Sequence, residues 1–227
     1  LYNEAESDNK IDIVCSGYNR VYSKKIETIN CNIDKIVYNS EEFLLKLLNV
    51  QNGYGFCHMK LIKKICIKNI KFQEDIQVGE DALFNIELTK NIQKVSVLGI
   101  PLYNYRFNND SVVRKYDSNY AIKTKKYILK NYENNFLVKK NLNNYIVYHL
   151  LLIAVNFCFN NSNNKKFIEQ IETLKNICNE ENFKIAIKNS NYKELSITRK
   201  ITLFTIKHRL FLFTGMICRF RQYQFSR

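Results

Sequence analysis

A change of periodicity near residue 117 restricts the fold more than any other feature of this chain. Before it, short apolar runs such as Ile11-Asp12-Ile13-Val14-Cys15-Ser16-Gly17-Tyr18 alternate with segments of helical spacing. Beyond it, every apolar pattern is helical. Alternating strand and helix signals indicate a layered α/β arrangement, so two regions are expected, an α/β part over 1–116 and an all-helical part over 117–227. In the first, helices are expected at about 1–9, 41–49, 56–64 and 80–91, with extended pieces at 11–18, 19–23, 93–98 and 102–107. In the second, a helix that Asp117 could cap runs through Leu129, and others follow at about 141–159, 165–179, 181–189 and 198–222. Asn160-Asn161-Ser162-Asn163-Asn164 reads as a loop.

The charge follows the same division. The formal net charge is +14, yet residues 1–115 hold 16 Lys and Arg against 14 Asp and Glu, and residues 116–227 hold 19 against 7. The positive field therefore belongs to the helical half, where it suits anionic lipid, nucleic acid or an anionic sugar chain. Neither apolar stretch of that half, Ile146 to Phe159 or Ile201 to Cys218, reaches the roughly 20 uninterrupted apolar residues that span a bilayer. A helix lying on the surface is expected instead, with Leu203, Phe204, Leu210, Phe211 and Phe213 entering the interface. A packed terminal helix is the rival reading.

Seven cysteines, at 15, 31, 57, 66, 158, 178 and 218, contain no Cys-x-x-Cys pair, which argues against a zinc cluster. Several sit in apolar runs as small buried hydrophobes, and a reducing, cytoplasmic setting fits them. No Gly-x-Ser-x-Gly and no glycine-rich phosphate loop occurs, and His58, His149 and His208 have no evident nucleophile beside them.

The chemistry concentrates in Val78-Gly79-Glu80-Asp81-Ala82-Leu83-Phe84-Asn85-Ile86-Glu87-Leu88. Glycine permits a sharp turn of the backbone. A helix then begins at the two acids, with Leu83, Phe84 and Leu88 on one face and Asn85 and Thr89 turned away. A carboxylate in a first helical turn faces the positive end of the helix dipole, which favours its ionised form. Fixed and ionised, it can accept a proton from a sugar hydroxyl. The rival reading is a plain helix cap.

The order of segments around this cassette carries a resemblance. Gly53-Tyr54-Gly55-Phe56-Cys57-His58-Met59-Lys60 and Asn69-Ile70-Lys71-Phe72-Gln73-Glu74-Asp75 precede it. Lys94-Val95-Ser96-Val97-Leu98, Ile100-Pro101-Leu102-Tyr103-Asn104-Tyr105-Arg106 and Ser111-Val112-Val113-Arg114 follow it. Over residues 1–116 the chain resembles bacterial family 2 glycosyltransferases, inverting enzymes that build capsular and cell-wall polysaccharides. The resemblance implies a partial, Rossmann-like GT-A sheet lacking its nucleotide-binding half, followed by the helical region. It implies Asp81 as general base, with Glu80 orienting the acceptor. A divalent cation, Mg or Mn, is implied for the intact enzyme, with ligands absent from this chain. No Asp-x-Asp occurs here, and Glu4-Ala5-Glu6 is the nearest spelling. The expectation is a carboxy-terminal piece, inactive alone, whose remaining sheet has an unpaired edge.

The implied partners are a nucleotide-sugar donor and a glycan or lipid-linked acceptor, at the cytoplasmic face of the plasma membrane. Nucleic acid is not among them. His58 and Lys60 occupy a position where many family members have Trp-x-Lys, and they become candidates for substrate contact; a structural histidine and a solvated lysine are the alternatives. Alternation puts Tyr103 and Tyr105 on one face, open to a place in the core. Arg106 and Arg114 suit bidentate diphosphate recognition, and Ser111 lies with Arg114 in a segment that the family places near the mouth of the site. The reading from a different class is a non-catalytic basic helical module that binds anionic membrane or nucleic acid.

Overall fold

A computed structural model describes residues 1–22, 25–29, 34–50, 53–74, 76, 79–106, 118–132, 134–191, 193 and 195–225. The chain divides into two compact units, Leu1–Asn109 and Asp110–Arg227.

The first unit is mixed α/β. Its elements are α1 (Tyr2–Glu6), β1 (Ile11–Val21), β2 (Ile26–Ile29), β3 (Ile36–Asn39), α2 (Ser40–Leu48), β4 (Lys60–Ile62), α3 (Lys64–Ile67), α4 (Glu80–Leu88) and β5 (Lys94–Arg106). The centre of the sheet is the parallel pair β1–β5, covered along β5 by antiparallel β3. Antiparallel β4 and β2 share the other edge of β1, β4 along Ile13–Cys15 and β2 along Tyr18–Val21. Ile11, Ile13, Val14 and Cys15 of β1 and Val95 and Val97 of β5 are buried, the near-continuous apolar run that a covered parallel pair requires.

Two pairs of expected pieces prove to be single strands. β1 absorbs 11–18 and 19–21, and β5 runs through Pro101. Proline has no N–H to give the ladder. The register jumps there, from Ser16 opposite Leu98 to Gly17 opposite Pro101, before Tyr18 meets Tyr103. This bulge leaves Gly99 and Ile100 without partners on β1 and sets where the following tyrosines stand.

The helix expected over 56–64 is not formed. Lys60–Ile62 instead pairs with β1, Cys15 opposite Lys60 and Ile13 opposite Ile62, and only Lys64–Ile67 turns helical. Pairing with an open strand edge outweighs the local helical spacing. Helix α2 forms as expected because its ends are specified. Asn39 accepts from the Glu42 N–H and the Glu42 carboxylate accepts from the Asn39 N–H, both at 2.9 Å, while Phe43, Leu44, Leu47 and Leu48 bury one face.

The second unit is helical: α5 (Ser118–Asn131), α6 (Phe136–Ile153), α7 (Phe167–Asn179), α8 (Glu181–Asn189), α9 (Ile197–Lys207) and α10 (Phe211–Phe225). Helix α6 is the centre, in contact with α5, α8 and α9, and it continues as a π-helical turn over Ala154–Cys158. The single helix expected over 198–222 is two. Arg209 adopts a left-handed conformation, φ 57°, and the chain reverses there. Thr214 Oγ1 donates to Thr205 Oγ1 at 2.8 Å, and Arg221 donates to Thr198 Oγ1 at 2.9 Å, so α9 and α10 run antiparallel side by side. This packing buries Leu203 and Phe211, which a surface-lying single helix was expected to expose. Among the described residues no helix is long and apolar enough to cross a membrane.

Candidate active site at the start of helix α4

Gly79 stands at φ 93°, a left-handed conformation that glycine tolerates, and turns the chain into α4. The Leu83 N–H closes the first helical turn on the Gly79 carbonyl at 3.0 Å, which places Glu80 and Asp81 in that turn. Asn85, expected to face away, is fully buried. Its amide nitrogen donates to the Gly55 carbonyl at 2.9 Å and to the Asp81 carbonyl at 2.7 Å, and lies 3.4 Å from Cys57 Sγ. Helix α4 is thereby clamped to the 53–59 turn. Gly55 faces Ala82 across this contact, and a Cβ there would just touch the Ala82 Cβ at 3.4 Å.

Asp81 Oδ2 accepts a long hydrogen bond from the Cys57 N–H at 3.4 Å. Asp81 forms no ion pair among the described residues. Burial lifts the Glu80 carboxyl above its ordinary range, and the neighbouring Asp81 carboxylate adds to this while backbone N–H groups at the helix start oppose it. Burial, with the Asp81 carboxylate beside it, pushes the Cys57 thiol up to about 12, so it is no nucleophile at neutral pH.

Cys57 sits between two ring-bearing residues. The His58 ring stacks on Tyr103 at 4.3 Å between centroids, on Phe56 at 5.1 Å and on Tyr105 at 5.6 Å, and Tyr18 meets it edge-on at 5.8 Å. Tyr103 and Phe56 are exposed, which corrects the reading of Tyr103 as core; Tyr105 is half-buried. Burial holds His58 below the ordinary histidine range, partly opposed by the Asp81 carboxylate and helped by the Lys60 ammonium. Its Nε2 is buried without a hydrogen-bond partner among the described residues. The Lys60 ammonium donates to the Tyr54 carbonyl at 2.6 Å and to the Phe56 carbonyl, and so shapes this turn; burial holds it below the usual lysine range.

Arg106 is exposed at the end of β5, opposite Val21. Ser111 and Arg114 lie outside the described residues. The structure thus brings Asp81, Glu80, His58 and Lys60 to one place. It adds Asn85, Phe56 and Tyr18, which sequence reasoning passed over; the spacing of Asn85 four residues from Asp81, on the same helix face, was the available signal.

Among the described residues no group of three or more His, Cys, Asp or Glu side chains is placed to hold a metal ion. Glu4, of the nearest Asp-x-Asp spelling, is committed to Ser96 Oγ at 2.8 Å and to Lys35 at 3.0 Å. The Mg or Mn ion that the resemblance implies therefore finds no fitting ligand set in these residues.

No protein-family model matches the chain. It is similar to a protein of Bacillus subtilis (strain 168) named "Putative glycosyltransferase EpsH", with 23% identity over 221 residues. The match takes in 92% of this chain and 63% of that protein, so the chain spans under two thirds of the curated relative's length.

Proposed function

We propose that this chain is the acceptor-side part of an inverting glycosyltransferase, with Asp81 as general base. One observation carries the proposal: the Asp81 carboxylate is hydrogen-bonded to the backbone N–H of Cys57, whose sequence neighbours Phe56 and His58 stack their rings on each other. A carbohydrate acceptor calls for that pairing, a carboxylate for its hydroxyl and flat aromatic surface for its C–H face. The similarity to a protein named as a glycosyltransferase, over 92% of this chain, supports sugar transfer in general.

In the proposed step the acceptor hydroxyl gives its proton to Asp81 as its oxygen attacks the anomeric carbon of a nucleotide sugar. The new C–O bond forms on the face opposite the departing nucleoside diphosphate, so the configuration inverts. Glu80 orients the acceptor. The exposed faces of Tyr103 and Phe56 stack with the sugar, and an acceptor hydroxyl satisfies His58 Nε2 once the rings part to admit it. Arg106 and Arg114 attend the diphosphate, and Ser111 contacts substrate near the mouth of the site. The acceptor is a surface glycan or a lipid-linked precursor, reached from the cytoplasmic side of the plasma membrane.

The test uses the complete gene product and a panel of nucleotide sugars. Asp81→Asn lowers transfer by about a hundredfold or more, in the range of a lost general base, while the melting temperature stays unchanged. Transfer retained by a folded Asp81→Asn protein removes the role.

A further inference from the structure

Helix α10 is inverted with respect to an ordinary amphipathic helix. The inner face of α10 carries Phe211, Thr214, Gly215, Cys218 and Gln222, small or polar for the most part, and all are buried. Its outer face carries Leu212, Phe213, Met216, Phe220 and Tyr223, all exposed, with Phe220 63% accessible. These recur at the three- and four-residue spacing that keeps them on one side. Helix α9 buries Leu203 and Ile206 yet also leaves Ile197, Ile201 and Phe204 outside, Ile197 being 76% accessible. A shallow groove of about 380 Å³ runs between Lys200, Ile201, Phe204 and Lys207. Scattered exposed apolar residues need no explanation, but a continuous row on two adjacent helices marks a contact surface.

The charge around that row decides what covers it. Residues 195–227 contain seven Lys and Arg and no Asp or Glu. Lys200 and Lys207 border the apolar stripe of α9, and Arg219 and Arg221 lie on opposite flanks of that of α10. Arg219 and Arg221 are anchored from within the unit. Arg219 donates to Gln170 Oε1 at 3.1 Å and lies over the Phe167 ring at 4.4 Å, and Arg221 reaches Thr198. The hairpin thus offers apolar side chains to an acyl layer and cations at the depth of phosphate groups.

We propose that the α9–α10 hairpin docks in the plane of an anionic phospholipid surface. Phe204, Phe213, Met216 and Phe220 enter the acyl boundary, and Lys200, Lys207, Arg219 and Arg221 meet lipid phosphates. The helices have 11 and 15 residues, joined by a reversal at Arg209, so they lie along the surface rather than cross it. This docking stands apart from the sugar-transfer reading and survives its failure.

Flotation of the full chain tests it, with vesicles of phosphatidylcholine alone and of equal parts phosphatidylcholine and phosphatidylglycerol. The chain is expected to float with the anionic vesicles and far less with the neutral ones. Phe213→Ser with Phe220→Ser should cut binding about tenfold or more, and because both residues are exposed the fold should persist by circular dichroism. Lys200→Glu with Lys207→Glu should remove the preference for anionic lipid. The chain has no tryptophan, so Phe213→Trp supplies a single reporter whose emission should shift to the blue on anionic vesicles. Absence of flotation overturns the proposal. So does binding that ignores the phenylalanine pair, or a self-association that this pair abolishes while vesicles are left unbound. Salt-steep binding to a single-stranded oligonucleotide without vesicle binding overturns it in favour of nucleic acid.

Discussion

Asn85 carries more of the candidate site than either acid. Its buried amide holds the Gly55 and Asp81 carbonyls together, and with them the turn bearing Phe56 and His58. Replacing it by aspartate sets a carboxylate against two carbonyl oxygens and leaves the Gly55 carbonyl without its donor. Asn85→Asp should therefore lower stability in urea by about 1–3 kcal/mol, more than Asn85→Ala does, and a variant as stable as the parent would deny the clamp. The sequence makes helix α4 legible, because a glycine, two acids and an apolar period point to one start. The place of Asn85 is not legible that way. It lies off the Leu83, Phe84 and Leu88 stripe, and only the arrival of the 53–59 turn, drawn in by β4 pairing with β1, surrounds it. The same turn decides His58, whose Trp-x-Lys position suggests substrate contact but gives no hint of the rings stacked on it.

At the scale of elements, α10 approaches its neighbours through Gly215. A Cβ there would stand 2.8 Å from Phe167 Cζ and 2.9 Å from Phe159 Cε1, and Phe159 is buried. Alanine gains about 1 kcal/mol over glycine in helix propensity, whereas overpacking costs about 1–3 kcal/mol. Gly215→Ala should accordingly lower the Tm, and a Tm equal or higher would mean that the outer ring, Phe167, yields. Helices are the elements that local spacing reveals best, as α2, α7 and α8 show. The elements it hides depend on distant partners or on one dihedral. β4 is too short to declare itself without β1, β5 looks broken at Pro101 until the bulge is known, and α9 and α10 look continuous because nothing in the letters announces that Arg209 turns left-handed.

For the molecule as a whole, part of its sensitivity to acid traces to one side chain in the second unit. His149 lies within α6, the helix on which α5, α8 and α9 pack, and burial depresses it from 6.5 to about 3. The fold keeps this ring neutral, while the unfolded chain protonates it below pH 6.5. Unfolding therefore takes up a proton between these values, so stability is full above pH 6.5 and declines as pH falls toward 3. The slope is about 1.4 kcal/mol for each pH unit in that window. Urea midpoints collected across it should show the decline, and His149→Leu should remove this contribution. A parent slope that the variant keeps unchanged assigns the acid sensitivity elsewhere.

The parallel pairing of β1 with β5 has a consequence for how the protein is made. β1 is complete at Val21, whereas β5 begins only at Lys94. During synthesis β2 and β4 can dress one margin of β1 early, but the opposite margin, carrying Ile13 and Cys15, must wait until the ribosome has issued almost the whole of the first unit. A nascent chain stalled before Lys94 would present that bare ribbon to any holdase in reach.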